Sequence, residues 1–264
     1  MRTISTPRLS LCVITLNEEA NLERCLRSVK GLADEIVVVD SMSTDRTRDI
    51  AAEAGARVVE QEFLGHVKQK QFALSLATGH WVLSLDGDEW LDQDLRSSIE
   101  AVLGDETSED VAGFELNRQA FYLGRWIDHS GWSPEWKLRL VRRTRARWTG
   151  YDPHDRLEVE GRTARLFGRL CHHPHDGLAD HLSAVNNYTD IIVSHWPKTS
   201  RFRVILGLFV EPPLVFFQKY VLQGGFRDGI RGLIISAMTA FYFFIRHAKL
   251  WERENPKVEP KVEE

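Results

Sequence analysis

Between Leu9 and Glu89 the sequence alternates short apolar runs with amphipathic ones, and this alternation restricts the fold more than any other feature. "LSLCVITL" (9–16), "EIVVVDS" (35–41), "ARVVEQEF" (56–63) and "HWVLSLDGDE" (80–89) read as buried β-strands. Between them, "NEEANLERCLRSVKGL" spaces Leu22, Leu26 and Val29 along one helix face, "STDRTRDIAAEAG" reads as a helix closed by Gly55, and "HVKQKQFALSLATG" as one ending at Gly79. Strand, helix, strand, helix is the pattern of an α/β fold: a parallel, Rossmann-like sheet with helices on both faces. After Asp110 the pattern changes. "VAGFELNRQAFYLGRWI", "WKLRLVRR", "ARWTGY" and "RLEVEGRTARLFGRLCHH" are β-leaning and predict a mixed-sheet second half, followed by a helix over 177–196.

Ligands of such sheets bind beyond the carboxyl ends of the strands. Those ends carry Asn17-Glu18, Asp40-Ser41 and Asp86-Gly87-Asp88-Glu89. Helix dipoles favour acids such as Glu18 or Asp45 at helix starts, but they explain Asp86 and Asp88 together poorly. Three carboxylates within four residues repel one another unless something positive sits against them. A divalent cation is the simplest answer: an Asp-x-Asp pair supplies two hard oxygen ligands where Mg²⁺ or Mn²⁺ can bridge to a diphosphate. No G-x-G-x-x-G follows the first strand and no G-x-x-x-x-G-K-[ST] occurs, which disfavours a dinucleotide dehydrogenase and a P-loop enzyme.

"VITLNEEANLERCLRSV", "EIVVVDSMSTDRT" and "KQKQFALSLATGHWVLSLDGDE" together resemble the inverting glycosyltransferases of family 2, which have the GT-A fold. "GRWIDHSGWSPEWKLRLVRR" and "DPHDRLEVEG" are similar to a subgroup that adds a β-linked glucose to heptose in the lipopolysaccharide inner core. The resemblance spans about residues 9 to 185. It implies that Thr15, Asn17, Glu18, Asp40, Ser41, Lys70, Asp86 and Gly87 bind the nucleotide sugar, with Lys70 facing the diphosphate, and that Asp88 and Asp86 hold the metal. The chain departs from the pattern at Gly87, usually Ala, at Gln71, usually Asn, and at Pro153-His154-Asp155, usually Val-His-Glu.

Inversion needs a base to take the proton of the acceptor hydroxyl. Asp155, which matches the acidic residue of the subgroup's His-Glu pair, is the first candidate, with Glu135 close behind and Asp152 third. Trp132 and Trp136 flank Glu135 and are placed either against an acceptor sugar or in the core. The basic run Lys137 to Arg147 suits acceptor phosphates or plain solvation. "CHHPHDGLADH" matches no zinc spacing closely.

The net charge of −4 argues against a nucleic-acid partner, but it is unevenly distributed. Residues 1–195 hold 23 Lys/Arg against 31 Asp/Glu, whereas 196–253 hold 9 against 3 and many large apolar residues. The organisation expected is therefore a transferase domain over 1–195, a basic amphipathic segment over 196–253 for an anionic membrane surface or a homo-oligomer contact, and a disordered tail over 254–264. The apolar runs are broken at Glu211-Pro212-Pro213 or shorter than a bilayer span, so they read as interfacial rather than transmembrane. Three cysteines without C-x-x-C spacing point to a reducing compartment and a cytoplasmic enzyme on the inner face of the membrane. The function expected is transfer of a hexose, glucose first, from a UDP-sugar to a lipid-linked saccharide. The alternatives are another envelope or polyprenyl-linked glycan as acceptor, or a non-catalytic nucleotide-sugar-binding protein. A nucleotidyltransferase would show a Gly-rich basic first loop, which "TLNEEAN" is not.

Overall fold

The computed structural model describes residues 8–104, 110–152 and 154–255. It divides into two compact units, Met1–Phe121 with Ser133–Pro174, and Tyr122–Trp132 with His175–Glu264. The expected tail lies, from residue 256 on, outside the described residues.

The first unit opens with β1 (Leu9–Thr15), α1 (Leu22–Ser28), β2 (Glu35–Asp40), α2 (Thr47–Glu53), β3 (Arg57–Glu60), α3 (His66–Leu76) and β4 (Trp81–Asp86). These four strands pair in parallel in the order β3-β2-β1-β4, with Cys12 opposite Val37 and Leu11 opposite Leu83. A short β5 (Glu89–Leu91) and α4 (Gln93–Gly104) follow, then β6 (Val111–Tyr122). After β7 (Arg125–Trp126), in the second unit, come β8 (Glu135–Arg142), β9 (Ala146–Tyr151), β10 (His154–Val159) and β11 (Arg162–His172). The main sheet continues β4-β8-β6-β11-β5, with β8 antiparallel to β4 and β6, and β5 antiparallel to β11, while β9 and β10 form a separate hairpin. This is the mixed second half that the β-leaning segments predicted.

The near-continuous apolar run of β1 is explained by burial on both faces. Leu9, Leu11 and Val13 enter one cluster with Leu22, Leu26, Leu83 and Ile99, whereas Cys12 enters another with Val37, Ala73, Leu74 and Trp148. The period-two alternation of a strand thus feeds two cores at once. The loops after β1, β2 and β4 open on the same sheet edge because those three strands run parallel.

The second unit holds α5 (Leu178–His195), α6 (Arg201–Phe217) and α7 (Ile230–Glu254), with a π-helical turn at Gln218–Leu222 after α6. Residues 122–132 and α5, which the sequence reading kept with the transferase domain, fall in this unit. α6 runs through Pro212 and Pro213 without a break, contrary to the expected interruption. With the turn it spans 22 residues, and α7 spans 25, so both are long and apolar enough to cross a membrane by length and composition. Gly207 and Val204 of α6 meet His247 and Leu250 of α7, so the two helices form an antiparallel hairpin.

Candidate active site

The loops after β1 and β2 are stitched together by side chains at the strand ends. Asp40, the last residue of β2, is fully buried and accepts hydrogen bonds from Thr15 Oγ1 (3.0 Å), the Ser43 amide (2.8 Å) and Ser43 Oγ. The Asn17 amide donates to Ser43 Oγ (2.8 Å), Asn17 Oδ1 accepts from the Thr44 amide (2.9 Å), and the Glu18 amide donates to Thr47 Oγ1 (2.7 Å). Ser41 donates its amide to the Thr15 carbonyl (2.8 Å), and its Oγ accepts from Gln69 Nε2 (3.2 Å). Asn17 and Met42 both sit at positive φ, 55° and 65°, a conformation that Asn accepts more readily than Met. Glu18 lies over Gly87, where an added Cβ would come 2.9 Å from Glu18 Cγ.

Beyond β4 the acidic cluster is met by cations of the protein itself. Lys70, near the middle of α3 and buried, places Nζ 2.9 Å from Asp86 Oδ1 and 2.9 Å from Asp155 Oδ2. Arg139 of β8 reaches Asp86 Oδ2 at 2.9 Å and Glu89 Oε1 at 2.8 Å. Glu89 also receives Arg118 (3.2 Å), Arg118 holds Glu135 (2.6 Å), and Glu135 holds Lys137 (2.9 Å). Asp155, Asp86, Glu89 and Glu135 are thereby matched by Lys70, Arg139, Arg118 and Lys137 in one continuous chain. The question raised by three adjacent carboxylates is answered in large part by Arg139, a member of the basic run whose pattern suits acceptor phosphates or plain solvation.

Burial alone would raise the Asp86 pKa, but Lys70 and Arg139 outweigh it and hold this carboxyl well below the usual range. Burial works against the charged forms of Lys70 and Arg139 too. Asp86, then Asp155, keeps the Lys70 pKa raised, and Glu89, then Asp86, does the same for Arg139. Glu135 is also lowered, because Arg118 and Lys137 overcome its burial. A pair of this kind is held by mutual need: removing one partner strands a charge in low dielectric.

Asp88 belongs to a different group. Its Oδ2 lies 3.1 Å from His172 Nε2 at the end of β11, and its carbonyl accepts the His173 amide (3.1 Å). A carboxylate and an imidazole side by side are a donor pair that could hold Mn²⁺ or a similar ion. Among the described residues no three His, Cys, Asp or Glu side chains converge as a complete cage, so the protein alone offers a partial ligand set. Asp86, expected to share the metal, has both oxygens engaged by Lys70 and Arg139.

A family model described as glycosyl transferase family 2 matches residues 10–159, which contain the ion chain from Asp155 to Lys137 and Asp88, though not His172. The chain belongs to glycosyltransferase family 2. Its sheet is the GT-A arrangement expected of that family. The transferase is 30% identical to the lipopolysaccharide core biosynthesis glycosyltransferase LpsC of Rhizobium meliloti (strain 1021), over 97% of this chain and 96% of that one. It is 40% identical to an uncharacterized glycosyltransferase of Rickettsia bellii (strain RML369-C), over 96% and 89%. A solved glucosyl-3-phosphoglycerate synthase of Mycobacterium tuberculosis, in complex with Mn²⁺, UDP-glucose and phosphoglyceric acid, is 28% identical over 45% of each chain, with a TM-score of 0.35.

In the transferase, Thr15, Asn17, Asp40 and Ser41 gather in the two stitched loops, and Lys70, Asp86, Asp155 and Glu135 in the ion network. Asp152, the third base candidate, instead accepts the Val67 amide (3.1 Å) at the start of α3. The tryptophans separate. Trp132 packs with Tyr122, Ile127 and Ile235 in the second unit, whereas Trp136 in the first lies under the Arg165 guanidinium at 4.4 Å. The histidine-rich run separates as well, with His172 beside Asp88 and His175 stacked on His181 at 4.2 Å in the second unit. Arg139, Arg118 and His172, which meet Asp86, Glu89 and Asp88, were not among the residues that the sequence singled out.

Proposed function

We propose that the protein is a metal-dependent inverting hexosyltransferase that moves glucose from UDP-glucose to a lipid-linked saccharide, such as the heptose of a lipopolysaccharide inner core. The observation that carries this reading is the pair of 2.9 Å contacts from Lys70 to Asp86 and Asp155, which joins the nucleotide-side strand end to a base candidate through one cation. The lipopolysaccharide-core relative supports the acceptor class. In this scheme Asp155 takes the proton of the acceptor hydroxyl, that oxygen bonds to the anomeric carbon, and the bond to UDP breaks with its electron pair leaving on the diphosphate. Lys70 stabilises the departing charge. Thr15, Asn17, Glu18, Asp40, Ser41 and Gly87 shape the nucleoside side of the pocket. A divalent ion held by Asp88 and His172 would supply Lewis-acid neutralisation of the diphosphate.

Asp155 is preferred to Glu135 because it matches the acidic residue of the subgroup's His-Glu pair and bonds one cation, Lys70, whereas Glu135 bonds two, Arg118 and Lys137. The three cysteines are free and buried, which accords with a reducing compartment and hence with the cytoplasmic face of a membrane bearing the acceptor.

Calorimetric titration of UDP and UDP-glucose with Mn²⁺ or EDTA tests the donor site. Metal-dependent binding is expected in the wild type and is expected to be lost in Asp88→Ala and His172→Ala. Binding that ignores both metal and these substitutions would remove the metal from the scheme. Asp155→Asn is expected to lower kcat by about 10²–10⁴-fold while leaving UDP binding intact. An unchanged kcat would transfer the base role to Glu135.

A further inference from the structure

The second unit leaves one side of α6 uncovered. Phe202, Leu206, Phe209, Leu214 and Phe217 recur every three to five residues along α6, Val221 follows in the π-helical turn, and all are exposed, Phe202 and Phe209 by 73% and 75%. Leu222, at 70%, and Phe226 continue the same surface past the end of the helix. Between Arg203 and Lys219 the sequence has one charged residue, Glu211, and its carboxylate is paired inward with Arg246 and His247 of α7. The stripe therefore presents no uncompensated negative charge. Cations stand exposed at its two ends, Lys198, Arg201 and Arg203 at one and Arg227 at the other. A contiguous apolar surface of this extent marks an interaction site.

We infer that α6 lies flat in the headgroup region of an anionic bilayer, and that the α6–α7 hairpin does not cross it. The first half follows from the stripe and its cationic ends, which match the chemistry of acyl chains beneath anionic headgroups. The second half follows from α5. That helix runs beside α7, with His181 and Val185 near Met238 and Thr239, and with Lys249 bonded to Asp190 (2.7 Å) and Arg253 to the Val193 carbonyl (2.6 Å). Asp180, Ser183 and Asn187 of α5 are exposed, interspersed with exposed Leu178, Leu182 and Tyr188, while Asn186 and Asp190 turn to Lys249 at the α5–α7 contact and keep part of their surface exposed. A hairpin placed across the bilayer would take these polar side chains into hydrocarbon, where polar groups are strongly disfavoured. The far end of the hairpin is likewise held by polar contacts within the unit. His129 donates its amide to Asp228 Oδ2 (3.0 Å), and Arg231 donates to the Leu123 carbonyl (2.8 Å). The length and hydropathy that would suit α6 and α7 to spanning thus serve an in-plane contact and a helix-helix contact instead.

This inference rests on the reading of a membrane-borne acceptor and adds how the chain meets the membrane. Because the three native cysteines are buried, single cysteines introduced in the full chain at Phe202, Phe209 and Phe217 can be labelled with an environment-sensitive fluorophore. With phosphatidylglycerol-containing vesicles, lipids spin-labelled at graded depths are expected to quench all three positions equally and at shallow depth. Quenching that deepens at 209 relative to 202 and 217 would mean a spanning helix and overturn the inference. The double variant Phe209→Glu, Leu214→Glu is expected to lower partitioning to these vesicles about tenfold or more. Unchanged partitioning would overturn it too. So would a wild-type dimer in sedimentation that the variant dissolves while neither protein binds vesicles, since the face would then cover a second copy. UDP binding, measured on the same samples, is expected to be the same in the variant and the wild type. Its absence from both would count against the transferase mechanism and leave the vesicle result standing.

Discussion

Arg139 is the residue on which the acidic strand end depends. It is buried, and it bonds Asp86 and Glu89 together, the latter fully buried. Arg139→Ala is expected to cost about 3–5 kcal/mol of stability, read from urea unfolding, because it strands buried charge. Arg139→Lys should recover little, since one ammonium replaces a planar guanidinium spanning two carboxylates. The same pairing sets an acid limit. The folded-state pKa values of Asp86 and Glu135 are depressed, so their stabilisation is present above the unfolded carboxylate range and is lost as pH falls below about 4 toward the folded values. Unfolding midpoints measured from pH 5 to pH 3 should fall, and less steeply in Glu135→Gln. Arg139 was hard to read as the partner of the acidic strand end because it alternates with Leu138 and Leu140, the pattern of a solvated strand position. Only its tertiary neighbours, Asp86 at the end of β4 and Glu89 at the start of β5, show that its side of β8 is buried. The strand-end acids themselves were legible, since residues at the carboxyl ends of parallel strands share one sheet edge wherever the helices lie.

At the scale of elements, the second unit holds a histidine whose charge its surroundings oppose. His181 of α5 has its Nδ1 2.8 Å from the Tyr122 hydroxyl, and burial, reinforced by His175 stacked on it, pushes its pKa down to about 4. The unfolded chain binds this proton more readily, so stability is expected to fall as pH drops from about 6.5 toward 4, by at most about 3 kcal/mol. Unfolding measured between pH 7 and pH 4.5 should show this slope, and His181→Phe should flatten it. A second element-scale test concerns α7, where a Cβ at Gly232 would lie 1.8 Å from the Gly225 carbonyl oxygen. Gly232→Ala is expected to lower stability by about 1–3 kcal/mol in thermal unfolding, since backbone rather than a side-chain tip must move. The helix α6 shows how a local signal can mislead. Two consecutive prolines predict a break, yet the helix continues, with α7 packed along it and a Glu211–Arg246 pair beside the prolines.

On the scale of the whole molecule, charge and hydropathy divide along the chain. The residues after 195 carry a surplus of cations and the exposed apolar stripe, whereas the earlier residues carry a surplus of acids. Raising the salt to about 0.5 M should weaken association with anionic vesicles without abolishing it, because screening removes the attraction to headgroups but not the burial of apolar side chains. Vesicle sedimentation across a salt series checks this; complete release by salt would make the contact purely electrostatic. The sequence by itself determined the alternating α/β core, the edge on which its functional side chains gather, the family, and the basic apolar character of the final segment. These properties depend on periodicity and on order along the chain. Only the tertiary structure decided that Arg139, Arg118 and Lys70 neutralise the carboxylates, that His172 stands beside Asp88, that Trp132 and Trp136 fall in different units, and that α6 passes through its prolines. Each of these depends on which strands and helices become neighbours across many tens of residues, and a one-dimensional pattern does not record that.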